Sequence, residues 1–139
     1  MTLDLIDGMA KLLNEKGDAF DFGCEDNDLA YLINLAKSLY PEKRQRAAKN
    51  WTIWDLDLDF NSREKWKYGG VQPTLLYAGC IIFDSSGQLD HGNFAMSTAL
   101  QELAKNCFFV SRNTVYICVG SGTRKTVDPR LVMAFYRRH

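Results

Sequence analysis

Three carboxylates at alternate positions, Asp55, Asp57 and Asp59, are the first residues of this chain whose spacing suggests chemistry. On an extended strand they would project from one face and come within reach of a single cation. As a calcium loop the run fails, because Phe60 stands where a glycine is needed and Trp66 where a bidentate glutamate is needed. As a two-metal nuclease site it lacks a recognisable histidine or lysine complement. The plainer reading is the solvated face of an amphipathic strand, or a charged edge that blocks strand addition. A metal role is the minor reading for these three aspartates, and no cofactor is called for.

A second candidate, Gly120-Ser121-Gly122-Thr123-Arg124-Lys125-Thr126, follows a β-prone run and ends in Lys-Thr, which invites a phosphate-loop reading. A Walker loop needs four residues between its glycines and a glycine directly before the lysine, and this run has neither. Asp128-Pro129 also interrupts the place where a phosphate-facing helix would start, and a dinucleotide fingerprint lacks its third glycine. The expectation is a flexible turn carrying two exposed cations. The sharper alternative is an anion site of backbone N–H groups with Arg124 and Lys125. Just upstream, Arg112 and Asn113 occupy the tip of an expected hairpin. Asparagine tolerates the left-handed backbone that such a turn can require. Arg112 has no comparable structural reason, so it leads the contact residues, with Asn113, Arg124 and Lys125 behind it.

Other reactive side chains lack context. Ser85, Ser86, Ser97, Ser111 and Ser121 include no G-x-S-x-G elbow. His91, between Asp90 and Gly92, reads as a surface histidine in a turn, and the other histidine is the terminal His139. No two of Cys24, Cys80, Cys107 and Cys118 stand at a C-x-x-C spacing, which argues against zinc. Cys80 and Cys118 lie in apolar runs and read as small buried hydrophobes. Trp51, Trp54, Trp66 and Tyr68 interleave with Lys49, Lys65 and Lys67, a composition found on nucleic-acid stacking platforms. Zero net charge and the adjacent aspartates argue against that partner.

The zero conceals a split. Residues 1–60 hold 12 acids and 7 bases, whereas residues 61–139 hold 5 acids and 10 bases. Ordinary surface charge that neutralises itself across the fold accounts for this; an acidic face for a basic partner is the sharper reading. At 139 residues the expectation is a single domain, helical over 1–50 and sheet-forming over 51–139. The acidic amino terminus is not that of a signal peptide, and no apolar run reaches spanning length, so reduced thiols and a cytoplasmic location without membrane contact are expected.

The elements that must position these residues follow from periodicity. Leu5, Ile6, Met9, Leu12 and Leu13 form a helical stripe before Gly17, although Gly8 weakens that helix by about 1 kcal/mol. Asp26, Asn27 and Asp28 offer caps for a second helix striped by Leu29, Leu32, Ile33, Ala36 and Leu39, which stops at Pro41. Pro41 suits the opening of a further turn or short helix through the basic 43–46 stretch. From Trp51 to Phe60 apolar residues alternate with the aspartates, the pattern of a half-buried strand. Residues 61–72 read as a polar loop with at most one helical turn, and 74–84 as a strand buried on both faces. Ser97 or Thr98 caps an expected short helix through Lys105, Thr98 with Gln101 fitting a capping box. Residues 107–119 read as a hairpin; 131–136 fit either a last helix opened by Asp128-Pro129 or a last strand. The fold class is α+β: two amino-terminal helices packed on a mainly antiparallel sheet, with one further short helix.

Over about residues 73–127 the chain resembles the DUF6957-like family of small uncharacterised bacterial and phage proteins. The residues that carry the resemblance are Pro73, Leu76-Tyr77-Ala78, Phe83-Asp84-Ser85, Ser97 and Leu100, then Cys107-Phe108-Phe109, Arg112-Asn113-Thr114-Val115-Tyr116 and 119–125. Ser111 stands where the pattern favours threonine, and residues 94–96 where it tends to carry a base. The resemblance implies fold and provenance and brings no activity with it. With phage context and no catalytic constellation, the expected function is a non-enzymatic module of phage or mobile-element origin that binds a bacterial or phage protein. An anti-CRISPR-like inhibitor of a bacterial defence complex is the specific form. The alternatives are a metal-dependent enzyme acting on a nucleotide or nucleic acid, with the aspartates on metal and Arg124 and Lys125 on phosphate, and a homodimer joined through an exposed strand edge.

Overall fold

The strand predicted by the aspartate alternation begins before Trp51 and ends before Phe60. In the computed structural model, which describes residues 3–138, β2 runs from Arg44 to Leu56 and organises the sheet. The other strands are β1 (Asp18–Phe20), β3 (Thr74–Asp84), β4 (Ala95–Met96), β5 (Leu100–Ala104), β6 (Phe108–Ser111), β7 (Thr114–Cys118) and β8 (Gly122–Val127). The helices are α1 (Leu3–Asn14), α2 (Leu29–Leu39), α3 (Phe60–Tyr68) and α4 (Pro129–Arg138), with a 3-10 turn at Asp26–Asp28. None of the described helices is long and apolar enough to cross a membrane.

The fold is α+β, but the sheet is mixed and the helices number four among the described residues. One edge of β2 pairs antiparallel with β3 from Arg46 to Asp55. Its other edge is shared by two consecutive strands that both run parallel to it, β7 along residues 44–48 and β8 along residues 52–56. The chain therefore passes along β2 almost as one strand broken at 119–121. Both partners kink at that level, with φ 54° at Asn50 and φ 74° at Gly120. Beyond the kink the sheet splits: β7 continues into β6 and β5, and β8 into the three-residue edge strand β1. The path through β7, β6 and β5 closes again on β3, because Gln72 bridges Leu100 and β4 pairs with Tyr77 and Ala78.

Closure gives one interior and two outer faces. Ala48, Ile53, Leu76, Leu100, Phe109 and Tyr116 fill the inside of the curled sheet. Ala47, on the other side of the bulge at Ala47/Ala48, packs outward with Ile117 and Val119 under Leu32 and Ala36 of α2. At the far end of β2, Trp54 and Leu56 pack outward with Val127 under Leu12 of α1 and Val132 and Phe135 of α4. In α1, Ile6 and Leu13 of the expected stripe are exposed and Leu12 is buried. Gly8 has a packing reason, since a Cβ there would lie 2.8 Å from Leu131 Cδ2 of α4.

Three local expectations are corrected. The basic 43–46 stretch is strand, not helix, because its polar side chains find partners in the sheet: Gln45 Nε2 donates to the Lys43 carbonyl and Arg46 Nη1 to the Tyr116 hydroxyl. Residues 61–72 are not a loop, since α3 occupies 60–68. The short helix expected over 97–105 is strand β5. Ser97 spends its hydroxyl accepting from the Leu76 amide at 2.8 Å, and Lys105 and Asn106, both at positive φ, turn the chain within the three-residue loop 105–107 that leads into β6. The alternatives for 131–136 resolve as helix α4. The 107–119 hairpin is present as β6 and β7.

Candidate functional site

Strand β8 decides the fate of the Gly-Ser-Gly-Thr-Arg-Lys segment. Residues 122–127 are strand and not a flexible turn, so Arg124 and Lys125 point to opposite faces of the sheet. Gly120 supplies the positive φ of the kink, and Gly122 lies flat against the Trp51 indole, where a Cβ would come within 2.3 Å of ring carbons. The Trp51 Nε1–H donates to the Gly120 carbonyl at 3.2 Å. Both glycines are thus required by the path of the chain around one tryptophan.

The two cations are engaged in the fold. Arg124 makes a two-pronged ion pair with Asp55, Nε to Oδ2 at 2.7 Å and Nη2 to Oδ1 at 2.9 Å, and its guanidinium lies 5.0 Å from the centre of the Phe20 ring. The Thr74 hydroxyl donates to the same carboxylate at 2.9 Å. Lys125, on the other face, donates from Nζ to the carbonyls of Leu12 at 2.7 Å and Glu15 at 2.5 Å, closing the end of α1. Burial pulls its ammonium below the usual lysine range, with Glu15 acting in the opposite direction. An anion site that uses both side chains is excluded by the alternation of the strand.

The aspartate row is dispersed for a related reason. Asp55 is on β2, Asp57 lies just after the strand with its amide donating to the Val127 carbonyl at 2.9 Å, and Asp59 caps α3. The Asp59 Oδ1 accepts from the Ser62 amide at 2.7 Å, and the hydrogen bonds to the backbone and side chain of Ser62 hold this carboxyl below its ordinary range. One face and one shared cation are therefore corrected to three separate structural positions. Among the described residues, no three His, Cys, Asp or Glu side chains group as metal ligands.

Arg112 and Asn113 sit at the opposite end of β2. Arg44 is level with Thr114 and Ile53 with Arg124, a separation of up to about 30 Å along an extended strand. Asn113 is not in the left-handed region expected for it; Asn50, Lys105 and Asn106 are. Its Oδ1 accepts from the Thr114 hydroxyl at 3.0 Å, and Lys43 Nζ donates to the carbonyls of Ser111 at 2.8 Å and Arg112 at 2.7 Å. The turn is held by side chains instead of by a strained backbone. The Arg112 side chain is exposed and makes no ion pair among the described residues.

A second exposed surface is α3, which periodicity missed because the helix has almost no apolar stripe and buries no residue. Phe60, Arg63 and Lys67 recur at i, i+3 and i+7 and share one face, with Tyr68 beside them. Phe60 is 74% exposed and Tyr68 94% exposed. Trp66, at the flank of that face, packs into the α1 and α4 core. Arg63, Lys65 and Lys67 form no ion pair among the described residues. The signals that reveal this helix are its ends, the Asp59 cap and the Gly69-Gly70 stop.

Between these surfaces, a cleft of about 610 Å³ lies where the end of α1 faces Asn50, Thr52 and Trp54 of β2. Ser121, Thr123 and Lys125 line its β8 side. The other reactive residues are structural or peripheral. Ser85 and Ser97 accept backbone N–H groups, Ser86 donates to Asp84, Ser111 donates to the Thr114 carbonyl, and His91 is exposed in a turn.

No curated protein and no solved structure matches the chain. A family model, Domain of unknown function (DUF6957), matches residues 21–134, reaching from the segment before α2 into α4 and so covering the closed sheet, the kink and both exposed surfaces. The chain belongs to the DUF6957 family.

Proposed function

We propose that this chain is a non-enzymatic binding protein that docks on an acidic surface of a bacterial or phage protein, with α3 as the contact face. The observation that carries the reading is the pair of exposed aromatic rings, Phe60 and Tyr68, set among the unpaired cations Arg63 and Lys67. Aromatic and arginine side chains dominate the energetics of protein interfaces, and an exposed ring gains most when a partner desolvates it. Arg112 offers a smaller contact at the other end of β2. The specific form, an inhibitor of a bacterial defence complex, keeps the same surface and names the partner class. The metal-dependent alternative loses the juxtaposition it required, because the aspartates are apart and Arg124 and Lys125 face opposite ways.

The test is affinity capture from bacterial lysate with the unaltered chain, Phe60→Ser/Tyr68→Ser and Arg112→Ala, followed by co-elution with the purified partner. The expected result is one stoichiometric partner, retained by Arg112→Ala and lost with the α3 double variant. Loss with Arg112→Ala alone would move the contact to the hairpin tip and overturn the assignment to α3. Absence of any stoichiometric partner would overturn the binding reading.

A further inference from the structure

Cysteines 24, 107 and 118 are far apart in sequence and meet at one point of the fold. The Cys118 amide donates to the Cys107 carbonyl at 2.8 Å, at the open end of the β6–β7 hairpin. The Cys24 amide donates to the Cys118 carbonyl at 2.9 Å, and the Gly120 amide to the Cys24 carbonyl at 2.8 Å. The Gly23 amide donates to the Asn106 carbonyl at 2.7 Å, so residues 23–24 are laid directly against the chain entering Cys107. Cys107 and Cys24 both pack against the apolar cluster beneath α2. Cys24 is partly exposed, whereas Cys107 and Cys118 are buried.

We propose that Cys24 and Cys107 are a redox-active dithiol, a modification site that a low-molecular-weight disulfide such as oxidised glutathione closes into an intramolecular disulfide. Cys24, the reachable thiol, attacks the reagent as thiolate, forming a mixed disulfide and releasing one reduced glutathione. The Cys107 thiolate then attacks the Cys24 sulfur and expels the second. Two protein thiols are oxidised, one reagent disulfide is reduced, and the protons lost from the cysteines end on the two glutathione thiols. Burial raises both thiols, Cys107 to about 12, and Asp28 of the 3-10 turn acts in the same direction on each, with Asp26 adding to it at Cys24. The exchange is therefore slow at neutral pH and quickens as pH rises, because only the thiolate reacts. The bond ties the segment that leads into α2 to the Lys105-Asn106 hairpin.

The full chain, incubated with oxidised glutathione at alkaline pH, alkylated and mapped without reduction, tests this. The expected product has lost two hydrogens and carries a Cys24–Cys107 link that dithiothreitol reverses. Its melting temperature is expected to rise by roughly 5–15 °C, since a loop of about eighty residues is closed in the unfolded chain. Cys107→Ser is expected to stop at a glutathione adduct on Cys24, Cys24→Ser to form neither, and Cys80→Ser to behave as the unaltered chain. A chain that stays reduced while its circular dichroism is native would overturn the proposal, as would a link through Cys80 or between Cys107 and Cys118.

Discussion

Two polar, basic stretches of this chain behave in opposite ways. Residues 120–125 look like a ligand loop and are wholly absorbed by the fold: Gly120 turns the chain, Gly122 admits Trp51, Arg124 holds Asp55 and Lys125 closes α1. Residues 60–68 carry no motif, yet form a helix that has no fully buried residue and presents two aromatic rings and unpaired cations to solvent. The difference is one of neighbours. Beside the central strand, alternation sends Arg124 and Lys125 of β8 into opposite, partly buried faces, where a charge must find a partner. Helix α3 hangs from the end of that strand, inserts only Trp66, and leaves its charges in water.

The comparison can be strained at several points. The largest effect is expected from Gly122→Val, which drives a branched side chain into the Trp51 indole. Overpacking against a rigid ring costs about 3 kcal/mol or more, read as a lower denaturation midpoint, and a midpoint near that of the unaltered chain would refute the packing role. Next is the Asp55–Arg124 pair. Their side chains are 32% and 29% exposed, so a double-mutant cycle of Asp55→Ala and Arg124→Ala is expected to give a coupling of about 1 kcal/mol, between the values of surface and buried pairs. Additive losses would return Arg124 to the candidate contacts. The smallest contrast sets Lys125→Ala, expected to cost about 0.5–1 kcal/mol through the freed carbonyls of α1, against Phe60→Ser/Tyr68→Ser, expected to stay within about 0.5 kcal/mol. If the α3 double variant destabilises more than Lys125→Ala, the two regions have been assigned the wrong way round.

Elements with a strong period were legible in the sequence. Helix α2, strand β3 and the β6–β7 hairpin stand close to where residues 29–39, 74–84 and 107–119 place them. Errors fell where partners outweigh local preference. Ser97-Thr98 has the chemistry of a cap, but Ser97 gains more by pairing with Leu76 across the sheet than by opening a short helix. The 43–46 stretch lacks apolar alternation, yet Gln45 and Arg46 are buried because Lys43, Tyr116, Gln88 and Asp84 surround them with partners. Of the candidate contacts, Arg112 is exposed at the hairpin tip, Arg124 and Lys125 are engaged in the fold where two exposed cations were expected, and α3 stands where a polar loop was expected.

What the sequence determined by itself is local and periodic: the α+β class, the paired β-prone runs, and the absence of any C-x-x-C or phosphate-loop spacing. Tertiary structure alone decided that β7 and β8 share one edge of β2, and with it that Arg124 and Lys125 face apart, that Asp55, Asp57 and Asp59 separate, and that Cys24 reaches Cys107. These outcomes depend on contacts between residues tens of positions apart. Local pattern carries no record of such contacts, because the free energy that selects them arises only when distant faces are buried together.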